Sequence, residues 1–350
     1  LSTCFFIAFA LGCVVLAAGF AFQEEILLLL GANEDILPYS EQYCRYILLA
    51  APFMATSFVL NQCLRAEGSA VFSMIGMMAG AVLNIGLDPL FIFTFGWGVA
   101  GASAATAISK VVSWCILMTP YLRKKTLLAI RLCHFRPHWA DAKEVCAMGS
   151  ASFFRTGLGT LAGILLNRIA VTYGTSALAA INVSNRITMF MTSACLGFGQ
   201  GFQPVAGYNF GAGDKKRTRQ AFWFSTLFGT VVCVAGAALI ALFPEQIMHF
   251  FRDDPEVTRI GRQALLYACA VMPVMAYSTY VNQLYQCLGF HQAATLLASC
   301  RNGLLYVPLI LLLPGLLGLS GVAMSQPAAD FLTFLVSIPF QIWFFRHKLR

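Results

Sequence analysis

Long apolar runs fill most of the chain, and short polar or glycine-rich interruptions divide them into ten segments. These are residues 2–30, 40–65, 70–95, 99–122, 144–173, 178–207, 219–243, 258–288, 293–315 and 320–345. Each reaches the ~20 residues that an α-helix needs to cross a bilayer, so the pattern predicts ten spanning helices. The interruptions alternate in charge. One set carries Arg65, the basic stretch 123–143, residues 215–219 and a tail with Arg346, Lys348 and Arg350. The other carries Glu34 and Asp35, the turn 96–98, Gly174 and Thr175, then Asp253, Asp254 and Glu256. Lysine and arginine concentrate in cytoplasmic loops of membrane proteins, which assigns the basic loops and the C-terminus to the cytoplasm. Arg252, Arg259 and Arg262 fall on the acidic side, so the bias is strong but imperfect.

Composition agrees with the pattern. The chain of 350 residues is 59% hydrophobic and 11% charged, against about 25% charged in soluble domains, and its mean hydropathy is +0.73. This is an all-α polytopic membrane protein with the lipid bilayer as its solvent. The net charge of +8 sits in the loops and reports topology, so no nucleic-acid partner is expected. Twelve cysteines are scattered singly without a CxxC and read as small core-filling residues. His134 and His138 lie four apart in a basic loop with no further ligands nearby, and read as solvated. The first ~30 residues have the length of a spanning helix and lack the basic start and small-residue cleavage site of a signal peptide. The opening Leu suggests a piece of a longer protein.

The chain repeats itself. A shift of 221 residues lays NQCLRAEG (61–68) on NQLYQCLG (282–289) and pairs Phe22 with Phe243, Glu24 with Glu245, Tyr46 with Tyr267, Pro52 with Pro273 and Ala55 with Ala276. A shift of 220 pairs GVAG (98–101) with GLSG (318–321). Matches sustained in one register point to duplication. Relative to the second copy, the first is short by about 80 residues, enough for two spans. The expected whole is two six-helix halves, and an even helix number makes the halves parallel repeats. The expected layout here is a first lobe at 1–122 lacking two helices, a basic cytoplasmic linker at 123–140 and a second lobe at 141–350. Transporters often hold substrate between such repeats near the midplane.

The polar residues inside the apolar runs are the candidates for chemistry. Asn84 and Asp88 are i and i+4 on a helix and share a face. An intramembrane carboxylate is costly and marks an ion, proton or solute path; the bland alternative is an acid satisfied by its neighbours. Pro89 follows and is expected to bend the helix and free a carbonyl. Asp88 lies nine residues before Trp97 and Thr106 nine after it, which sets them at similar depth in a hairpin. Carboxylate, amide and hydroxyl oxygens suit Na⁺ or a proton, making Asp88, Asn84 and Thr106 the candidate Na⁺ ligands. Asp330 is the second membrane acid, open between a substrate path and pairing with Arg or Lys. Arg168 and Arg186 read as snorkelling near an outer turn, and Arg155 lies closer to the cytoplasmic entry. The segment 197–217 is glycine-rich and carries Gln200, Gln203 and Asn209; it reads as a hinge permitting close approach or local unwinding, with those three as substrate-path candidates. No GxxxxGK[ST], GxSxG or HExxH motif supports an enzyme or nucleotide pump, and no cofactor is expected.

The blocks NQCLRAEG (61–68), LNIGLDPLFI (83–92), GVAGASAAT (98–106), GQGFQPVAGYNFGAG (199–213) and NQLYQCLG (282–289) resemble the multidrug and toxic compound extrusion (MATE) family, on its DinF-like and MepA-like bacterial branch. The likeness runs from the family's third helix to its twelfth. It implies a secondary antiporter of the bacterial cytoplasmic membrane, acting as a monomer. Such a protein expels organic cations or amphipathic drugs against inward H⁺ or Na⁺ while two lobes rock around a central cavity. The family's first-lobe cation site maps onto Asn61, Asn84, Asp88 and Thr106, with Asn61 nearer the cytoplasm by simple depth counting. Other branches carry acids on the seventh and tenth helices. Here SFFRTG brings Arg155, and 263–289 holds no acid, so coupling is expected in the first lobe. The alternatives are a lipid-linked oligosaccharide flippase of the same superfamily and a membrane-embedded transferase.

Overall fold

The structure is a computed structural model that describes residues 2–29, 37–124, 126, 139–251 and 254–348. Helices make up almost all of it, and no strand occurs among the described residues. The helices are α1 (Ser2–Ala21), α2 (Gln23–Leu29), α3 (Leu37–Ala66), α4 (Ala70–Pro89), α5 (Gly98–Leu122), α6 (Trp139–Val171) and α7 (Thr175–Gly211). They continue with α8 (Lys215–Leu242), α9 (Pro244–Phe251), α10 (Pro255–Cys287), α11 (His291–Ser299), α12 (Tyr306–Leu317) and α13 (Leu319–His347). Two π turns, Leu90–Thr94 and Cys300–Leu304, extend α4 and join α11 to α12. The chain forms two compact units, Leu1–Ala142 and Lys143–Arg350.

In unit 1, α3 packs against α1 and α5, and α4 lies on α5. A small buried cluster of Phe5, Leu60, Leu64, Leu117 and Tyr121 ties α1, α3 and α5 together. In unit 2, α10 is the central element, packed by α7, α8 and α13. Its core runs through Phe222, Leu265, Met272, Tyr280 and Leu284, all almost fully buried.

The duplication is written into the helix boundaries. The first helix of the repeat breaks at Phe22 between α1 and α2, and its counterpart breaks at Phe243 between α8 and α9. The next helix ends at Ala66 in one copy and Cys287 in the other, and the following one restarts at Ala70 and at His291. All these pairs are 221 positions apart. The turns are alike as well: Gly68 has φ +82° and Gly289 has φ +81°, a left-handed conformation that glycine adopts without a Cβ penalty. Pro52 and Pro273 lie inside α3 and α10 at the same register.

Among the described residues eight helices are long and apolar enough to cross a membrane. They include α11, its π turn and α12 taken as one, His291–Leu317. The two remaining long helices, α6 and α7, correspond to the expected spans 144–173 and 178–207. They have 33 and 37 residues, but polar side chains dilute their apolar character. Arg155, Thr156, Asn185, Thr188 and Thr192 on these helices line a cavity, which explains the dilution. Loop charges are used locally. Asp214 caps α8 through Arg217 N at 2.9 Å, and Asp254 caps α10 through Glu256 N at 2.9 Å. Arg262, one of the cations on the acidic side, donates to Glu245 at 2.8 Å and is neutralised there. Glu34, Asp35, Lys125, Arg131, His134, Arg136, His138, Arg252, Asp253 and Arg350 lie outside the described residues.

Candidate functional site

Unit 1 brings three of its four expected polar residues together. Asn84 Nδ2 donates to Asp88 Oδ1 at 3.0 Å along α4 and to Thr106 Oγ1 at 3.4 Å on α5. Thr106 also donates to the Ala102 carbonyl at 3.0 Å, one turn back. All three side chains are half-buried. The helices approach closely because Gly76 and Gly80 on α4 face Leu117 and Ser113 on α5, and Ser113 donates to the Gly76 carbonyl at 2.8 Å. Pro89 has no N–H to give the Ile85 carbonyl, and the helix widens into the π turn directly after it. The expected bend is therefore a local widening at the acid.

Asn61 stands apart. It is 6% exposed, and its amide nitrogen meets no acceptor, so it reaches neither Asp88 nor Thr106. Its repeat counterpart Asn282 donates to the Ala294 carbonyl at 2.7 Å, a helix-locking bond. Asn61 lies near the end of α3, one turn before Arg65. Lys110 is a residue the sequence reading passed over. It is the only charge in α5 and lies one turn beyond Thr106 on the same face. The signal was available: one cation in the middle of a 25-residue apolar helix.

The glycine-rich tail of α7 does not unwind. The helix runs unbroken through Pro204 to Gly211. Gly199 sits flush against the Gln283 side chain, where any Cβ would collide, so close approach is the part of the expectation that the structure displays. Asn209 Nδ2 is spent on the Val205 carbonyl at 2.8 Å. Gln200, Gln203 and Asn209 do not line the chamber of unit 2.

That chamber has a volume of about 530 Å³ and is walled by α6, α7, α10, the second π turn, α12 and α13. Asp330 lies in its wall, 5% exposed, and accepts from Arg301 Nε at 2.7 Å and from Gln326 Nε2 at 3.3 Å. Asp330 thus pairs with a basic side chain and also lines the chamber. Arg155, on the α6 side, faces the same chamber. Among the described residues no cluster of three His, Cys, Asp or Glu side chains could hold a metal.

The sequence profile of the MatE family matches residues 1–90 and 152–312. The multidrug export protein MepA of Staphylococcus saprophyticus is 29% identical over 322 residues, covering 91% of this chain and 70% of that protein. MepA of Staphylococcus aureus is 28% identical over 331 residues, covering 94% and 72%. Among solved structures, an outward-facing multidrug-resistance MATE transporter of the MOP superfamily superimposes with a TM-score of 0.92 at 23% identity. It covers 99% of this chain and 78% of its own. A MOP-superfamily transporter of Pyrococcus furiosus, described as having a binding pocket of reverse polarity, matches with the same TM-score, identity and coverage. These structural likenesses carry the fold. With the family match, the eight apolar helices and the bacterial relatives, they make this a multi-pass protein of the bacterial inner membrane that belongs to the MatE family of efflux transporters.

Proposed function

We propose that the chain exports small molecules, as the MepA relatives named multidrug export proteins do, that these are amphipathic or cationic, and that they leave in exchange for H⁺ or Na⁺ moving inward. The observation that supports this is the Asp88–Asn84–Thr106 cluster joining two apolar helices of unit 1. A carboxylate at that depth is expensive unless it handles charge. In the outward-open state Asp88 takes up the ion and the drug leaves. In the inward-open state it gives the ion up, and the restored negative charge favours a cationic solute. An ion shifts the balance between two states only through its differential affinity for them. The two units rocking around a central path supply those states, and the protein acts as a monomer with its basic loops and C-terminus in the cytoplasm.

Carboxylate, amide and hydroxyl oxygens at Asp88, Asn84 and Thr106 suit either a proton or Na⁺, and the two are told apart by the gradient that drives export. The test is drug accumulation in inverted vesicles holding the full-length protein, with pH and Na⁺ gradients imposed separately. Export driven by one of the two gradients and absent in Asp88→Asn is expected. Equal export by wild type and Asp88→Asn defeats the coupling role.

A further inference from the structure

Two arginines face the chamber of unit 2, and only one has a carboxylate to answer it. Arg301 is paired with Asp330 at 2.7 Å. Arg155 makes one hydrogen bond, to Ser152 Oγ at 3.3 Å, and that hydroxyl also accepts from Gln286 Nε2 at 2.9 Å. Among the described residues no acid meets Arg155. Among the described residues, the charged side chains lining the chamber are Arg155 from α6, Arg301 from the π turn and Asp330 from α13, and α7, α10 and α12 contribute none. These three leave one positive charge in excess. Removing a charge from water is costly unless a partner is supplied, and the described walls supply none to Arg155.

The backbone that carries Arg155 is anchored to the π turn. Asn302 Nδ2 donates to the Arg155 carbonyl at 3.0 Å, and the same amide packs against Gly159. One residue further, Gly303 seats the Leu158 side chain. Helix α6 is thus clamped to the π turn that carries Arg301, and both arginines are set on one rigid junction. Such one-turn π widenings are frequent where a helix must present a functional group. The rest of the wall includes Met189, an exposed and pliable apolar side chain that accepts varied shapes. The volume falls in the usual range for small-molecule sites, about 300–1,000 Å³.

We propose that this chamber binds the anionic head of an amphiphile, a carboxylate, sulfonate or phosphate, on Arg155, with the apolar body against the apolar wall around Met189. The planar guanidinium fork matches such oxyanions. This inference rests on the export reading and adds a substrate class to it. Binding is measured without any ion gradient, so its failure leaves coupling at Asp88 untouched.

The probes are 11-(dansylamino)undecanoic acid and its methyl ester, titrated by dansyl fluorescence into the full-length protein in phosphatidylcholine nanodiscs. The acid binds tighter than the ester by roughly tenfold or more, the scale of a hydrogen bond to a charged group. R155Q removes that preference while ester binding holds, and R155K keeps part of it. D330N frees Arg301 and raises acid affinity several-fold, a gain that misfolding does not mimic. Equal binding of acid and ester by the wild type overturns the proposal. So does an R155Q protein that weakens both alike, or a D330N protein that melts normally and binds the acid no better. Displacement of the acid by phosphatidylglycerol added to the disc assigns the site to a lipid headgroup. Retention of the probe assigns it to a free amphiphilic acid.

Discussion

Asn84 is the hinge of the candidate cation cluster, because one amide nitrogen bridges a carboxylate on its own helix and a hydroxyl on the next. Removing the bridge and removing the charge therefore have different consequences. Asp88→Asn deletes the exchangeable charge, and drug resistance conferred by the gene falls to the level of a host without it, read by growth in graded drug concentrations. Thr106→Ala deletes a neutral partner worth about 1 kcal/mol, a factor of roughly five. The ion concentration for half-maximal export then rises by about that factor while maximal export persists. If Thr106→Ala abolishes export altogether, the hydroxyl is more than a weak ligand. At Asp330 the expectation is stability. The acid is almost fully buried against Arg301, and Asp330→Ala leaves that cation uncompensated at a cost of about 3 kcal/mol. A lowered unfolding temperature in detergent checks this. Asp88, Asn84 and Thr106 were legible from spacing alone, since i, i+4 and a hairpin count determine who shares a level. The Arg301 partner of Asp330 was not, because it comes from a π turn 29 residues upstream whose widening leaves no periodic mark.

At the level of elements, glycines explain how the hairpins close. Gly101, in the first turn of α5, lies against the Phe91 carbonyl, with a Cβ there meeting that oxygen at 2.8 Å, and Gly321, in the first turn of α13, lies flush against the Leu313 carbonyl. The matched GVAG and GLSG segments thus share a physical cause: the last glycine lets the second helix return against the backbone of the first. Backbone cannot move aside as a flexible side chain can. Gly101→Val and Gly321→Val should each destabilise their own unit by at least ~1–3 kcal/mol, the usual overpacking range. Limited proteolysis should show the damage confined to that unit. Gly315→Ala, at a glycine with open space around it, is the matched control and leaves the digest unchanged. The tail of α7 marks where composition leaves two outcomes open. Its glycines permit close approach or local unwinding, and an unbroken helix uses Gly199 to admit Gln283. Glycine lowers the cost of both outcomes, and the partner that chooses between them is 84 residues away.

For the whole molecule, the repeat carries the prediction. Helices α3 and α10 end at turns with the same left-handed glycine, Gly68 and Gly289, and α5 and α13 begin after the turns at residues 96–98 and 318. A parallel duplication puts equivalent turns on the same side of the membrane, whereas an inverted one would put them on opposite sides. The loop charges then predict which side is which, because Arg65 and the 215–219 cluster belong to the basic set. Single cysteines in a cysteine-free full-length protein can read this directly. Ser69→Cys and Gln292→Cys should both react with a membrane-impermeant maleimide only after the cytoplasmic face is opened. Trp97→Cys and Ser320→Cys should both react on intact cells. If the members of either pair react from opposite faces, the halves are inverted and the shared boundaries at 221 residues lose their meaning. If both pairs react from the wrong faces together, the repeat stands and the charge argument for orientation fails, which would also reverse the direction assigned to ion entry at Asp88.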